Sequence, residues 1–199
     1  MQVLLIKKQQ QITHAWSGGT TTQLCIFPPE TEFKKFNFLF RMSVATVEVD
    51  ETDFTYMPGV TRHLMIIKGN LHLLHKGRYE KNLGKYETDI FSGEWETHAR
   101  GKVNDFNLLT REETKGSLQA LRMKAGQLNE VSLSQDNFCT GIYVNAGRLL
   151  VKTGEGSINM STGDFLQVTH DVNRIEKILI QCDQETEVVV AVVSLADKK

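Results

Sequence analysis

The chain has 199 residues, and its 23 basic and 24 acidic side chains leave a formal charge of −1. That balance gives no electrostatic case for nucleic acid or an anionic membrane as partner, and the length is enough for one sizeable domain or two small fused ones. Cys25, Cys139 and Cys182 are an odd set without metal-type spacing, and the first apolar run, residues 3–6, is too short for a signal core or a span, so a cytoplasmic protein is expected.

Residues 3–6 read as a first strand. The stretch from Trp16 through Gly18, Gly19, Thr20 and Thr21 reads as a loop opening a second strand that ends near Phe27. Adjacent glycines let the backbone turn tightly and approach something closely, which serves an ordinary hairpin as well as a ligand loop. After Pro28 and Pro29 comes the most decided strand of the chain, residues 38–49, FLFRMSVATVEV. Phe38, Phe40, Met42 and Val44 alternate with Arg41, Ser43, Ala45 and Val47, and Glu48 falls on the face opposite Arg41. A cation and a hydroxyl among small residues, backed by a bulky apolar face, is how a pocket wall is written. The same alternation also suits an edge strand whose Arg41 points to water.

Residues 50–53 read as a polar corner, and 54–59 as a turn. A half-buried strand then carries Arg62, Leu64 and Ile66 on one face, with a Gly69-Asn70 hairpin leading into residues 71–75. Short strands between glycine turns continue to residue 109, and amphipathic helices are scarce. The pattern around 66–77 and 90–95 recurs around 143–154 and 160–166, each time ending in a glycine followed by an acid, Gly93-Glu94 and Gly163-Asp164. Two small antiparallel barrels account for this repeat, with the polar stretch 111–127 as linker. Residues 188–195 read as a strand buried on both sides.

Five motifs stand in order: Trp16-x-Gly-Gly-Thr-Thr, Phe40-Arg-Met-Ser-x-Ala-x-Val-Glu48, Pro58-Gly-Val-x-Arg62, Phe91-x-Gly-Glu-Trp95 and Asp105-Phe-Asn107. With them, residues 1–110 resemble the HutD/Ves family, bicupin proteins found with histidine-utilisation genes or as stress-induced proteins. The resemblance implies an all-β bicupin with little helix: a cupin-like barrel over 1–115 carrying the motifs and a second over 116–199, with exchange of strands between them left open. It also implies a small-molecule pocket in the first barrel. By motif match the lining is Trp16, Thr21, Arg41, Ser43, Arg62, Asp105 and Asn107, and Glu48 matches as well. The glycine loop is shorter than in many members, and Gln23 stands where a glutamate is common.

Convergent guanidinium groups at Arg41 and Arg62 would suit a carboxylate, because each gives parallel hydrogen bonds to two oxygens. Histidine, urocanate and formylated glutamate carry that group. Ser43, Thr21 and Asn107 would orient a second polar end. The competing reading pairs either arginine with Glu48 or Asp105 as a strut. Trp16 and Trp95 suit core or rim packing, and Asp105 suits a bond to the turn around Asn107. Many cupins hold a metal through histidines one residue apart. His72 and His75 are three apart, which on a strand sends them to opposite faces, so neither a metal nor another cofactor is expected. No nucleophile motif or phosphate-binding loop is present.

The expectation is a binding or regulatory protein for a carboxylated metabolite of histidine degradation, moderating that pathway. A cupin enzyme, isomerase or metal-dependent oxygenase, is the alternative. Barrels with open edge strands often pair, which makes a homodimer a candidate assembly.

Overall fold

The computed structural model describes residues 2–111, 114–131, 136–170 and 177–195. The fold is all-β and antiparallel, of the cupin type in both halves. Among the described residues the only helical segments are the 3-10 turns Lys8–Gln10 and Phe33–Lys35, and none is long and apolar enough to cross a membrane.

In chain order the strands are β1 (Gln2–Ile6), β2 (Ile12–Trp16), β3 (Gly19–Phe27), β4 (Phe40–Val47), β5 (Glu51–Asp53), β6 (Thr61–Lys68), β7 (Leu71–His75), β8 (Tyr79–Leu83), β9 (Thr88–Ser92), β10 (Thr97–Arg100) and β11 (Asn104–Thr110). There follow β12 (Thr114–Met123), β13 (Leu128–Val131), β14 (Asn137–Ala146), β15 (Arg148–Thr153), β16 (Gly156–Ser161), β17 (Phe165–Thr169), β18 (Ile178–Gln181) and β19 (Thr186–Leu195).

Residues 12–117 form one compact unit, and residues 2–11 with 118–195 form the other. In the first, a six-stranded sheet ordered β2-β3-β4-β11-β6-β9 accompanies a four-stranded sheet ordered β5-β10-β7-β8. Leu64, Ile66, Leu71, Leu73 and Phe91 pack together from both sheets. In the second, the orders are β1-β17-β14-β19-β12 and β13-β18-β15-β16, around a core that includes Ile142, Val144, Val151, Leu166 and Val188. The predicted repeat is present strand for strand. The order β4-β11-β6-β9 recurs as β12-β19-β14-β17, and β5-β10-β7-β8 recurs as β13-β18-β15-β16. The first unit adds β3 and β2 beyond β4; the second adds β1 beyond β17.

Several expectations change. The boundary drawn at 115/116 put residues 3–6 with the first barrel, whereas β1 pairs with β17 of the second, from Gln2 opposite Thr169 to Ile6 opposite Phe165. Asp164, the acid after the repeat glycine, anchors this segment by accepting from Lys7 Nζ at 2.8 Å and the Lys8 amide at 3.1 Å. Burial opposes its charge, yet these donors and the Ser161 amide hold its carboxyl below the usual carboxylate range. Gly69-Asn70 does not close a hairpin, because β6 and β7 lie in different sheets. It turns the chain from one sheet to the other, where a Cβ on Gly69 would stand 2.7 Å from the Lys102 carbonyl oxygen. β6 is buried from Arg62 to Ile67 instead of on one face. Glu51–Asp53 is a short strand pairing with β10, and the stretch taken for a linker contains β12, an edge strand; positions 112–113 of that stretch lie outside the described residues.

Candidate functional site

The alternation read in β4 puts Phe40 and Met42 fully buried on one face and turns Arg41, Ser43, Ala45 and Val47 into a cavity of about 870 Å³ in the first unit. Pairing across the sheet arranges this wall in rows. Thr21, Ala45 and Asp105 stand opposite one another on β3, β4 and β11. Gln23, Ser43 and Asn107 form the next row, and Arg41, Leu109 and Arg62 the third. The two arginines therefore rise on either side of Leu109, two strand spacings or about 10 Å apart at the backbone. All seven residues chosen by motif line this one cavity. Glu48 does not; it follows the end of β4, and its amide donates to the Gly18 carbonyl at 2.8 Å.

Both guanidinium groups are buried, each residue keeping 6% of its surface exposed. Arg41 donates from Nε to Gln23 Oε1 at 2.9 Å and from Nη1 to Ser43 Oγ at 3.1 Å, and it lies under the Phe33 ring, 4.2 Å from the centroid. Arg62 donates from Nη2 to the Thr55 carbonyl at 2.6 Å and lies 5.0 Å from the Phe54 ring centroid. Its Nε is buried and takes no partner among the described residues. Burial lowers each pKa from 12.5 to about 10, so both remain cations at neutral pH. Neither hydrogen-bonds Glu48 or Asp105, so the strut reading fails. The Asp105 carboxylate acts on Arg62 only through space.

Asp105, 4% exposed, accepts the Asn107 amide at Oδ1. Burial pushes its pKa from 3.8 up to about 7, against the opposing pull of Asn107 and Arg62. In the unfolded chain this carboxyl ionises near its ordinary value, so between about pH 4 and 7 the folded state holds the extra proton and loses stability as pH rises. Asp105→Asn is accordingly expected to raise the unfolding temperature at pH 8 and to leave it nearly unchanged at pH 4; calorimetry at the two pH values checks this.

Thr21 lines the row of Asp105. Trp16, 37% exposed, lies over Gly18, where a Cβ would meet its ring at 2.1 Å. The turn between β2 and β3 is thus an ordinary hairpin as well as a close approach: a Cβ on Gly19 would stand 1.9 Å from the Thr46 carbonyl oxygen. Phe33, Phe54 and the Thr55 carbonyl escaped sequence reading, because connectors carry no periodicity and a backbone carbonyl has no residue signature. Gln23, noted only as a departure, is a direct partner of Arg41.

His72 and His75 do alternate: His75 is fully buried, and His72 is half-buried against Asn82. Among the described residues, no three or more His, Cys, Asp or Glu side chains gather as a metal site would require.

No functionally curated protein matches the chain. Among solved structures it shares its fold with a conserved protein of unknown function from Pseudomonas aeruginosa PAO1, at 16% identity and a TM-score of 0.83 over 98% of this chain and 100% of that one. HutD from Pseudomonas fluorescens SBW25 is similar at 17% identity and a TM-score of 0.76, over 98% and 100% of the two chains. The bacterial pirin YhhW from Escherichia coli, solved in complex with nickel(II), is similar at 10% identity and a TM-score of 0.70, again over 98% and 100%. The HutD family profile matches residues 8–190, well over half of the sequence, and the chain belongs to the HutD family.

Proposed function

We propose that the cavity of the first unit holds a small carboxylated metabolite of the kind met in histidine breakdown, and that the protein acts by binding it, moderating that pathway. The observation that supports this is a charge imbalance: among the described residues two buried guanidinium groups face one cavity against a single buried carboxyl, and Arg62 Nε finds no partner. Buried cations without counterions are costly, and an incoming carboxylate would relieve that cost with charge-assisted hydrogen bonds. The Phe33 and Phe54 rings lie against the two guanidinium carbons, adding cation–π contact on their apolar side. At about 870 Å³ the cavity falls in the usual range for small-molecule sites, roughly 300–1,000 Å³.

A thermal-unfolding screen of histidine, urocanate, imidazolonepropionate, formiminoglutamate and formylglutamate tests the proposal. A true ligand at a hundred times its Kd stabilises by about 2.7 kcal/mol, which for a chain of this length is roughly 5–10 °C. No shift with any of the five would sink it. Stoichiometric iron, manganese or zinc in freshly purified protein would replace it with the enzyme reading.

A further inference from the structure

We propose that Asp105 serves the bound anion as a neutral carboxylic acid that donates a hydrogen bond to it, so that filling this cavity with a carboxylate takes up one proton. The inference rests on the carboxylate-binding reading and adds to it how the site selects and when it fills.

Asp105 stands on β11, on the same cavity wall as the arginine row. Its Oδ1 is engaged by the Asn107 amide, and Oδ2 takes no hydrogen bond from the described residues. The charged group that acts on it is Arg62 from β6, which in turn feels Arg41 from β4. The remaining ionisable groups lining the cavity are His14 of β2, Asp53 of β5, and Glu32 and Lys34 of the connector before β4. Asp53 is 85% exposed at its side chain and paired with His98 at 2.8 Å.

In the unliganded protein burial opposes an ionised Asp105, while the Asn107 hydrogen bond and, after it, the Arg62 charge favour it. A carboxylate seated between Arg41 and Arg62 offsets the Arg62 charge, displaces water and adds a second negative charge nearby, while the Asn107 bond stays in place. All three effects drive a proton from solvent onto Oδ2. The new O–H then points at the occupant, and the buried pair of carboxyl groups carries one charge in place of two. Burial already holds Asp105 at about 7 in the empty protein, so uptake falls in the neutral range. The site therefore favours carboxylates that offer an acceptor oxygen or imine nitrogen toward β11. It disfavours those that place an ammonium there in exchange for an uncharged Asp105.

The test is titration calorimetry with glutarate, propionate and each acid of the screen, in two buffers of different ionisation enthalpy, from pH 6 to 8.5. The expected result is uptake approaching one proton per anion near pH 8, with affinity weakening about tenfold per pH unit above pH 7. Asp105→Asn, which keeps a donor but cannot ionise, is expected to bind with no proton uptake and a flat pH profile. Binding to the unaltered protein without buffer-dependent heat overturns this inference and leaves the proposed function standing. A pH dependence that persists in Asp105→Asn does the same. Absence of binding by every acid at pH 6 overturns both readings. The buffer comparison on the unaltered protein decides the matter even if the variant fails to fold.

Discussion

Arg62→Ala is expected to weaken carboxylate binding by about 3 kcal/mol, on the order of a hundredfold, while the unfolding temperature of the empty protein moves little. The first half follows from desolvation. The Arg62 guanidinium is already stripped of water, and its Nε has no partner among the described residues to give up, so a carboxylate gains a charge-assisted bond at small additional cost. The second half follows from the same fact seen from the folding side. Burial lowers the Arg62 pKa to about 10, which means the folded state pays to keep that cation. Its removal relieves this cost and offsets the lost packing on Phe54 and the lost bond to the Thr55 carbonyl. Arg62→Lys should recover only part of the affinity, because an ammonium supplies charge without the two-pronged geometry. Calorimetric titration of the alanine and lysine variants checks the order; equal affinity in all three proteins would remove Arg62 from the site.

Asp89→Ala is expected to destabilise the first unit by about 3–5 kcal/mol, a fall in unfolding temperature of roughly 10 °C. Asp89 lies on β9, at one edge of the six-stranded sheet, and binds groups of the four-stranded sheet. Its Oδ2 accepts His75 Nε2 of β7 at 2.9 Å, and its Oδ1 accepts Lys81 Nζ of β8 at 3.0 Å and the Tyr79 hydroxyl at 3.2 Å. His75 is fully buried, with Nδ1 at 2.8 Å from Thr97 Oγ1 of β10, and its ring packs 4.6 Å from both Tyr79 and Phe91. One carboxylate thus ties the edge strands of two sheets. Deleting it strands a buried imidazole and part of a lysine's partners at once. Asp89→Asn, which keeps one acceptor, should cost less. A urea titration showing a loss below about 1 kcal/mol for the alanine variant would mean that packing alone closes this edge.

The cavity wall was legible because the β-strand period is two, and a strand with one apolar face declares its other face residue by residue. That rule put Arg41 and Ser43 on one face but left that face open between pocket and solvent, and the ordered motifs pointed to the pocket; the repeat of glycine turns declared the second barrel. β3 shows where the rule stops. Strict alternation sets Cys25 beside Gln23, but a bulge between them shifts the register, so Ile26 and not Cys25 stands opposite Arg41. Nothing in TTTQLCIF announces that extra residue. β2 was missed for a related reason: every one of its five residues is exposed, so it lacks the alternation that burial imposes. Gly69-Asn70 carries hairpin chemistry, but local turn chemistry does not say whether the next strand rejoins the same sheet.

By itself the sequence determined which residues can form strands, which face of β4 carries polar groups, that two similar units follow one another, and which side chains share the first unit's motifs. These are consequences of local stereochemistry and of the order of residues along the chain. Only the tertiary structure decided that β1 completes the second unit, that Arg41 and Arg62 flank Leu109 in one row, that two connectors lay Phe33 and Phe54 over them, and that Asp105 is buried enough to hold a proton near neutrality. Each of these depends on distances between segments far apart in the chain. The charge state of a buried carboxyl depends most of all on how much water the fold leaves around it.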